Sequence, residues 1–231
     1  MCVNIMSEKL VIKNIFWDVD GVLANLNYAY FHFLKGHPNY KEMYKDLKWE
    51  DLPKALPIAS KYGALELKTH PTFGVEMDKD FCHSPEFFEN RPLYPHVIEV
   101  LKDLNAKGYR QFTMSATFNV ETKKKLLNKL LHDVTDFLTI ECVEHGKFMH
   151  DTAKEDMLKY CFEKYGLKAE ETVLVDDRIY NQYAAINVGA HPVRVRSEFT
   201  TPLPEELSWI PEVHDVVEFE DWLKNNTVFE K

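Results

Sequence analysis

Residues 11–23 read Val-Ile-Lys-Asn-Ile-Phe-Trp-Asp-Val-Asp-Gly-Val-Leu, VIKNIFWDVDGVL in one-letter form. The run from Val11 to Val19 is rich in β-branched and aromatic side chains and ends at Asp-Gly, which predicts a short buried strand delivered into a turn. On an extended backbone, residues two apart point the same way, so Asp18 and Asp20 face one site at the carboxyl end of that strand. Gly21 lets the chain turn sharply and leaves backbone N–H groups open to an anion. Two carboxylates this close repel, so either a cation sits between them or one is protonated. The pair suits one carboxylate as nucleophile and the other as proton donor. Asp-x-Asp-Gly also occurs in ordinary turns and in calcium loops. The calcium-loop reading fails, because Val22 and Leu23 follow and the twelfth position from Asp18 is Ala29 rather than glutamate.

Working outward, further strands are predicted at Gln111–Met114, Phe137–Val143, Thr172–Val175 and Pro192–Val195. Helical patterns separate them: His96 to Ala106 before a Lys107-Gly108 stop, Lys154 to Tyr165 closed by Gly166, and Asn181 to Val188 closed by Gly189. Alternation of strand and helix with tight loops argues for an α/β fold, a three-layer Rossmann-like parallel sheet covered by helices on both faces. Residues 25–90 interrupt that rhythm. They are crowded with aromatic residues, and prolines at 38, 53, 57, 71 and 85 punctuate short helical segments. The expected organisation is a core of residues 1–24 and 91–231 with an inserted helical domain at 25–90. After a Pro-rich stretch from Thr200 to Pro211, Val213 to Phe219 reads as an edge strand and Asp221 to Lys224 as a short helix.

In open parallel sheets, ligands bind at the carboxyl ends of strands. Besides Asp18 and Asp20, two more strand ends carry suitable groups. Ser115, with Thr113 and Thr117 as alternatives, offers a hydroxyl before a helix beginning near Asn119. Thr172–Val175 delivers Asp176 and Asp177, and this oxygen-only set suits Mg²⁺ rather than zinc. An Asp pair can also simply cap the next helix. Asn181, four residues beyond Asp177, is placed to orient the ligand shell. Lys154 heads the helix before that strand and can neutralise both a nucleophile and a phosphoryl oxygen, with Lys147 its competitor. The run Lys123-Lys124-Lys125 reads as a solvated helix face.

The chain has 231 residues and a net charge of −9 at pH 7, a balance that repels phosphate backbones and argues against nucleic-acid binding. Cys2, Cys82, Cys142 and Cys161 form no CxxC and read as reduced thiols. No apolar stretch is long enough to span a membrane, and the amino-terminal residues lack a signal-peptide pattern, so a cytoplasmic protein with no membrane partner is expected.

Together these residues resemble the haloacid dehalogenase superfamily of phosphohydrolases. The first motif is matched by Asp18-Val19-Asp20-Gly21-Val22-Leu23, the second by Ser115, the third by Lys154 and the fourth by Asp176-Asp177. Asn181 stands where the family usually carries another acid. Arg91-Pro92-Leu93-Tyr94-Pro95 looks like the family's return from its cap. The resemblance implies a Mg²⁺-dependent phosphomonoesterase acting on a small phosphorylated metabolite through an aspartyl-phosphate. Asp18 would attack phosphorus, and Asp20 would protonate the leaving oxygen and then activate water. Ser115, Ala116, Lys154 and Gly21 would hold the phosphoryl oxygens. Asp18, Asp20 through its carbonyl, Asp177 and Asp176 would hold the metal. A 5'-(deoxy)nucleotidase, a phosphomutase and a catalytically weak binding member share this pattern. A dehalogenase fits less well, because Asp20 is present. Within the insertion, Lys54, Lys61, Lys68 and His70 are available to a substrate.

Overall fold

The expected single strand at Val11–Val19 is two strands, β1 (Leu10–Val11) and β2 (Asn14–Trp17). The chain changes partners between them. Ile12 N–H donates to the carbonyl of Val228, whereas Lys13 N–H donates to that of Glu171 at 2.8 Å. β1 therefore pairs beside Thr227–Val228, and β2 enters the main sheet. These positions come from a computed structural model that describes residues 9–52, 58–59, 65–66, 80–81, 83–89, 91–117, 119–144 and 153–228.

From the insertion come α1 (Leu26–Gly36), the short antiparallel pair β3 (Ile58–Ala59) and β4 (Leu65–Glu66), and α2 (Pro85–Glu89). The antiparallel pair departs from the expectation of helix alone. The core continues with α3 (Val97–Ala106), β5 (Arg110–Thr117), α4 (Val120–Leu130) and β6 (Leu138–Glu144). It closes with α5 (Ala153–Tyr165), β7 (Thr172–Asp176), α6 (Ile179–Asn187), β8 (His191–Val195), β9 (Glu212–Val213), α7 (Val216–Asn226) and β10 (Thr227–Val228). Six strands form one parallel sheet in the order β6-β5-β2-β7-β8-β9. Lys54, Lys61, Lys68, His70, Cys2, Cys82, Lys147 and the neighbouring His145 and His150 lie outside the described residues.

Both sheet faces are covered, as the apolar run in β2 requires. Ile15, Trp17, Val173 and Val175 turn to one side and pack with Val97, Leu101 and Leu104 of α3 and Phe219 of α7. Phe16, Phe112 and Leu174 turn to the other and pack with Met157, Leu158 and Cys161 of α5. Phe16 stacks on Phe112 with centroids 4.7 Å apart. Two buried polar side chains of this core pair with each other. Trp17 Nε1 donates to Gln111 Oε1 at 3.1 Å, and Gln111 Nε2 donates to the Leu101 carbonyl at 2.8 Å. Burial raises the Cys142 thiol to about 11 and the Cys161 thiol to about 12. Ala29, Tyr30, Phe33, Leu34, Tyr40, Leu52 and Phe81 form a separate apolar cluster that Phe199 joins from beyond β8.

The chain leaves and rejoins the sheet through adjacent backbone. Asn25 N–H donates to the Pro92 carbonyl, and Tyr94 N–H to that of Leu23, both at 2.9 Å. Of the stretch expected to be an edge strand, only Val213 lies in one, β9, and Val216 to Phe219 open α7. Asp215 decides this, since its carboxylate accepts from the N–H groups of Val217 and Glu218 and caps α7. Val216, Phe219 and Leu223 then recur at helical spacing and are buried.

Candidate active site

β2 lies between β5 and β7, with Trp17 opposite both Thr113 and Val175. Carrying that register forward brings Asp18, the Met114–Ser115 peptide and Asp176 to one edge of the sheet. The Asp18 N–H donates to the Val175 carbonyl at 2.9 Å, which holds the strand end in line. One carboxylate oxygen from each of Asp18, Asp176 and Asp177 lies within 4.8 Å of the others.

Lys154 bridges two of these acids. Its Nζ donates to Asp18 Oδ1 at 2.5 Å, to Asp176 Oδ2 at 2.8 Å and to the Met114 carbonyl at 2.9 Å. Burial alone would lower its pKa, but Asp176 and Asp18 hold it above the ordinary lysine value, so it stays cationic. Asp176 is saturated. Asn181 Nδ2 donates to both its oxygens at 2.8 Å, the Arg178 N–H donates to Oδ1 at 2.9 Å, and Lys154 takes Oδ2. Four hydrogen bonds from three donor groups meet about four lone-pair directions, which leaves this carboxylate none to spare. Asn181 thus pins Asp176, and Asp176 pins Lys154.

Asp177 differs. Its Oδ1 is buried with no hydrogen-bond partner, while its carbonyl accepts from Nε of the buried Arg194 at 3.1 Å. Burial pushes its carboxyl up to about 8, and Asp176 and Asp18 add to the rise against Arg178. Asp18 is raised by burial to about 6, with Lys154 opposing and Asp176 and Asp20 adding. An orphaned buried oxygen beside a second electron-rich carboxylate fits a hard divalent cation, and the all-oxygen donor set favours Mg²⁺ over a thiophilic metal.

The Asp20 carboxylate is turned elsewhere. Lys123 Nζ donates to its Oδ2 at 2.7 Å, and Arg91 Nη1 donates to its Oδ1. Burial would raise this carboxyl, but Arg91 and Lys123 beside it hold it well below the usual range. The lysine run is therefore not the solvated face its composition suggests. Lys123 is 1% exposed, whereas Lys125 pairs with Glu121 at the surface. Lys123 shares a helical face with Leu126 and Leu127, both buried, and this i, i+3, i+4 spacing was the available signal. Arg91, also 1% exposed, carries no comparable local signal.

Ser115 is 2% exposed in β5 and follows the peptide whose carbonyl Lys154 grips. Thr113 faces the interior, with an unpartnered hydroxyl. The Thr117 hydroxyl accepts from the Asn119 N–H at 3.3 Å beside the start of α4 and is occupied there. Ala116 lies within β5, although its side chain is outside the described set. Gly21 has a φ of +95°, and a Cβ there would meet Asp177 Oδ2 at 2.8 Å. Gly21→Ala should destabilise the fold by about 1–3 kcal/mol and displace the Asp177 carboxylate. Urea melts check the cost; an unchanged midpoint would refute it. Beside Gly21 opens a cavity of about 820 Å³, lined in part by Tyr94, Val195, Arg196, Phe199 and His214.

Comparison with known proteins adds an independent line. Residues 12–189 match the family model described as haloacid dehalogenase-like hydrolase. A glyceraldehyde 3-phosphate phosphatase from Methanocaldococcus jannaschii is 30% identical over 86 residues, 37% of this chain and 36% of that protein's length. A predicted phosphatase from Clostridium acetobutylicum superposes with a TM-score of 0.63 at 18% identity, covering 93% of this chain and 99% of that one. A predicted phosphoglycolate phosphatase from Haemophilus somnus gives 0.61 at 19% identity, covering 91% and 97%. At these identities the structural likeness speaks to the fold. Among the described residues, no helix is long and apolar enough to cross a membrane.

Proposed function

Since this chain belongs to the haloacid dehalogenase-like hydrolases, we propose that it is a Mg²⁺-dependent phosphomonoesterase that works on small phosphorylated metabolites through an aspartyl-phosphate on Asp18. The observation that carries the reading is the convergence of Asp18, Asp176 and Asp177, with the ammonium of Lys154 bonded to the first two. Phosphoryl transfer depends mainly on positioning and charge neutralisation, and this cluster supplies both. The names of the relatives, a glyceraldehyde 3-phosphate phosphatase and a predicted phosphoglycolate phosphatase, support a small phosphorylated substrate. The cavity beside Gly21 suits the organic part of such a molecule.

Asp18 is the nucleophile in this reading, because its carboxylate ends β2 and Lys154 fixes its orientation from one side. Lys154 and Ser115 receive the phosphoryl oxygens, with the backbone at Gly21 and Ala116 beside them. Asp18, Asp177 and the Asp20 carbonyl hold Mg²⁺, which when bound offsets the charge between the acids and the incoming phosphate. Asp176 holds Lys154 rather than the metal. Asp20 handles the proton on the leaving oxygen and later on water. The insertion 25–90 acts as a cap that shields the site from solvent. Phosphate release from an aryl phosphate, present with Mg²⁺ and abolished by chelation, is the direct test. No release under any divalent ion would overturn the reading.

Stability should follow pH in a way that reports the metal. Asp18 and Asp177 rise in the folded chain to about 6 and about 8, above an unfolded value of about 3.9. Between pH 5 and 8 the folded state therefore retains protons that the unfolded state has lost, so metal-free stability falls as pH rises. The depressed Asp20 acts oppositely, but only as pH drops below about 4. Mg²⁺ binds the ionised carboxylates and should flatten the decline. Thermal melts with and without Mg²⁺ across this window measure it. Parallel curves would count against a metal at these acids.

A further inference from the structure

Arg91 reaches Asp20 with Nη1 alone, and its Nε and Nη2 are buried with no partner. A guanidinium placed only to clasp a carboxylate would meet it with two parallel donors, since its fork matches that geometry. Phe87 lies against the guanidinium at 4.1 Å, so it is braced on its face while its edge carries the spare donors. Lys123 approaches the other oxygen of Asp20 from α4 and is equally buried. Lys154, by contrast, serves Asp18 and Asp176. The site thus holds a second cationic group beyond the lysine needed for the phosphoryl oxygens, and that group exceeds the single charge it faces.

We propose that Arg91 and Lys123 form an anion-binding pair that holds Asp20 at rest and exchanges it for a carboxylate or second phosphate on the substrate's leaving group. Preferred substrates are then phosphate monoesters that carry a further anionic group. This rests on the phosphomonoesterase reading above and narrows its substrate class. The exchange frees the Asp20 carboxylate, which is otherwise clasped on both oxygens, to face the ester oxygen. The backbone beside Arg91 is anchored, since the Pro92 carbonyl accepts from the Asn25 N–H, so the exchange moves the anions and leaves the guanidinium in place. A neutral leaving group cannot replace Asp20 at this pair, so such esters react more slowly.

Steady-state kinetics on matched esters test this. 3-Phosphoglycerate against glycerol 3-phosphate isolates a carboxylate, and propane-1,3-diol bisphosphate against its monophosphate isolates a second phosphate. Native enzyme should favour at least one anionic member by about tenfold or more in kcat/KM. Arg91→Met and Lys123→Met should bring that ratio close to one, whereas Arg91→Lys and Lys123→Arg retain part of it. A native ratio near one in both pairs overturns the inference, and needs no variant to fold. So does a ratio that the methionine variants leave intact. Hydrolysis of an aryl phosphate with no preference among the esters rejects the anion pair alone. Failure to hydrolyse any of them rejects the phosphomonoesterase reading, and the inference falls with it.

Discussion

Asp18→Asn should lower phosphate release by on the order of 10⁴-fold or more while the protein stays folded. The amide is nearly the shape of the carboxylate but cannot attack phosphorus, so no covalent intermediate forms. Its effect on stability has the opposite sign. Burial pushes the Asp18 carboxyl up to about 6, so at pH 7 the folded state holds a charge it disfavours. An amide removes that charge, and Lys154 keeps its contact with Asp176. The metal-free variant should therefore melt no lower than the native chain at pH 7 and above. Phosphate release measured beside thermal melts separates the two effects. Residual turnover within tenfold of native would exclude Asp18 as nucleophile.

Lys154→Met should damage the metal-free fold severely, with a loss of about 3–5 kcal/mol. The side chain is almost fully buried, and its ammonium faces two carboxylates. Deleting it leaves like charges facing one another with only Asn181 and a backbone N–H on Asp176. Neutralising one acid should recover part of the loss, so Lys154→Met with Asp176→Asn should be more stable than Lys154→Met alone. Mg²⁺ should also recover part of it. Chemical denaturation of the three proteins, with and without Mg²⁺, reads the coupling. Strict additivity of the two substitutions would show that no such interaction exists. Activity should fall by a factor of about 10²–10³ even where stability recovers, because the phosphoryl oxygens lose their cation.

Some of this was legible in the sequence and some was not. The family resemblance drawn from Asp18-Val19-Asp20-Gly21-Val22-Leu23 and Asp176-Asp177 agrees with the matched family model. Strand ends announce themselves, because an apolar run that stops abruptly at an acid marks where a buried parallel strand leaves the core. Asp18 does lie with Asp176 and Asp177, but the carboxylate of Asp20, expected to face the same site as Asp18, turns to Arg91 and Lys123. Lys123 was hidden, since three consecutive lysines on one helix look alike until the apolar face of α4 is traced through Leu126 and Leu127. Arg91 was hidden more deeply. Its burial depends on the pairing of residues 92–94 with 23–25, a contact that local pattern does not encode. The misreading of Val213–Phe219 has a local cause, because β-branched residues suggested a strand while Asp215 was already capping a helix.

That meeting of the outgoing and incoming chain beside Leu23 and Pro92 bears on how the sheet tolerates changes in length. Because the two ends touch, the sheet beneath closes over the same short gap whatever spans it. Lengthening a flexible span costs only about 0.6 kcal/mol per doubling. A span of another length between these two points is therefore expected to leave the sheet, and the acids at its edge, where they are.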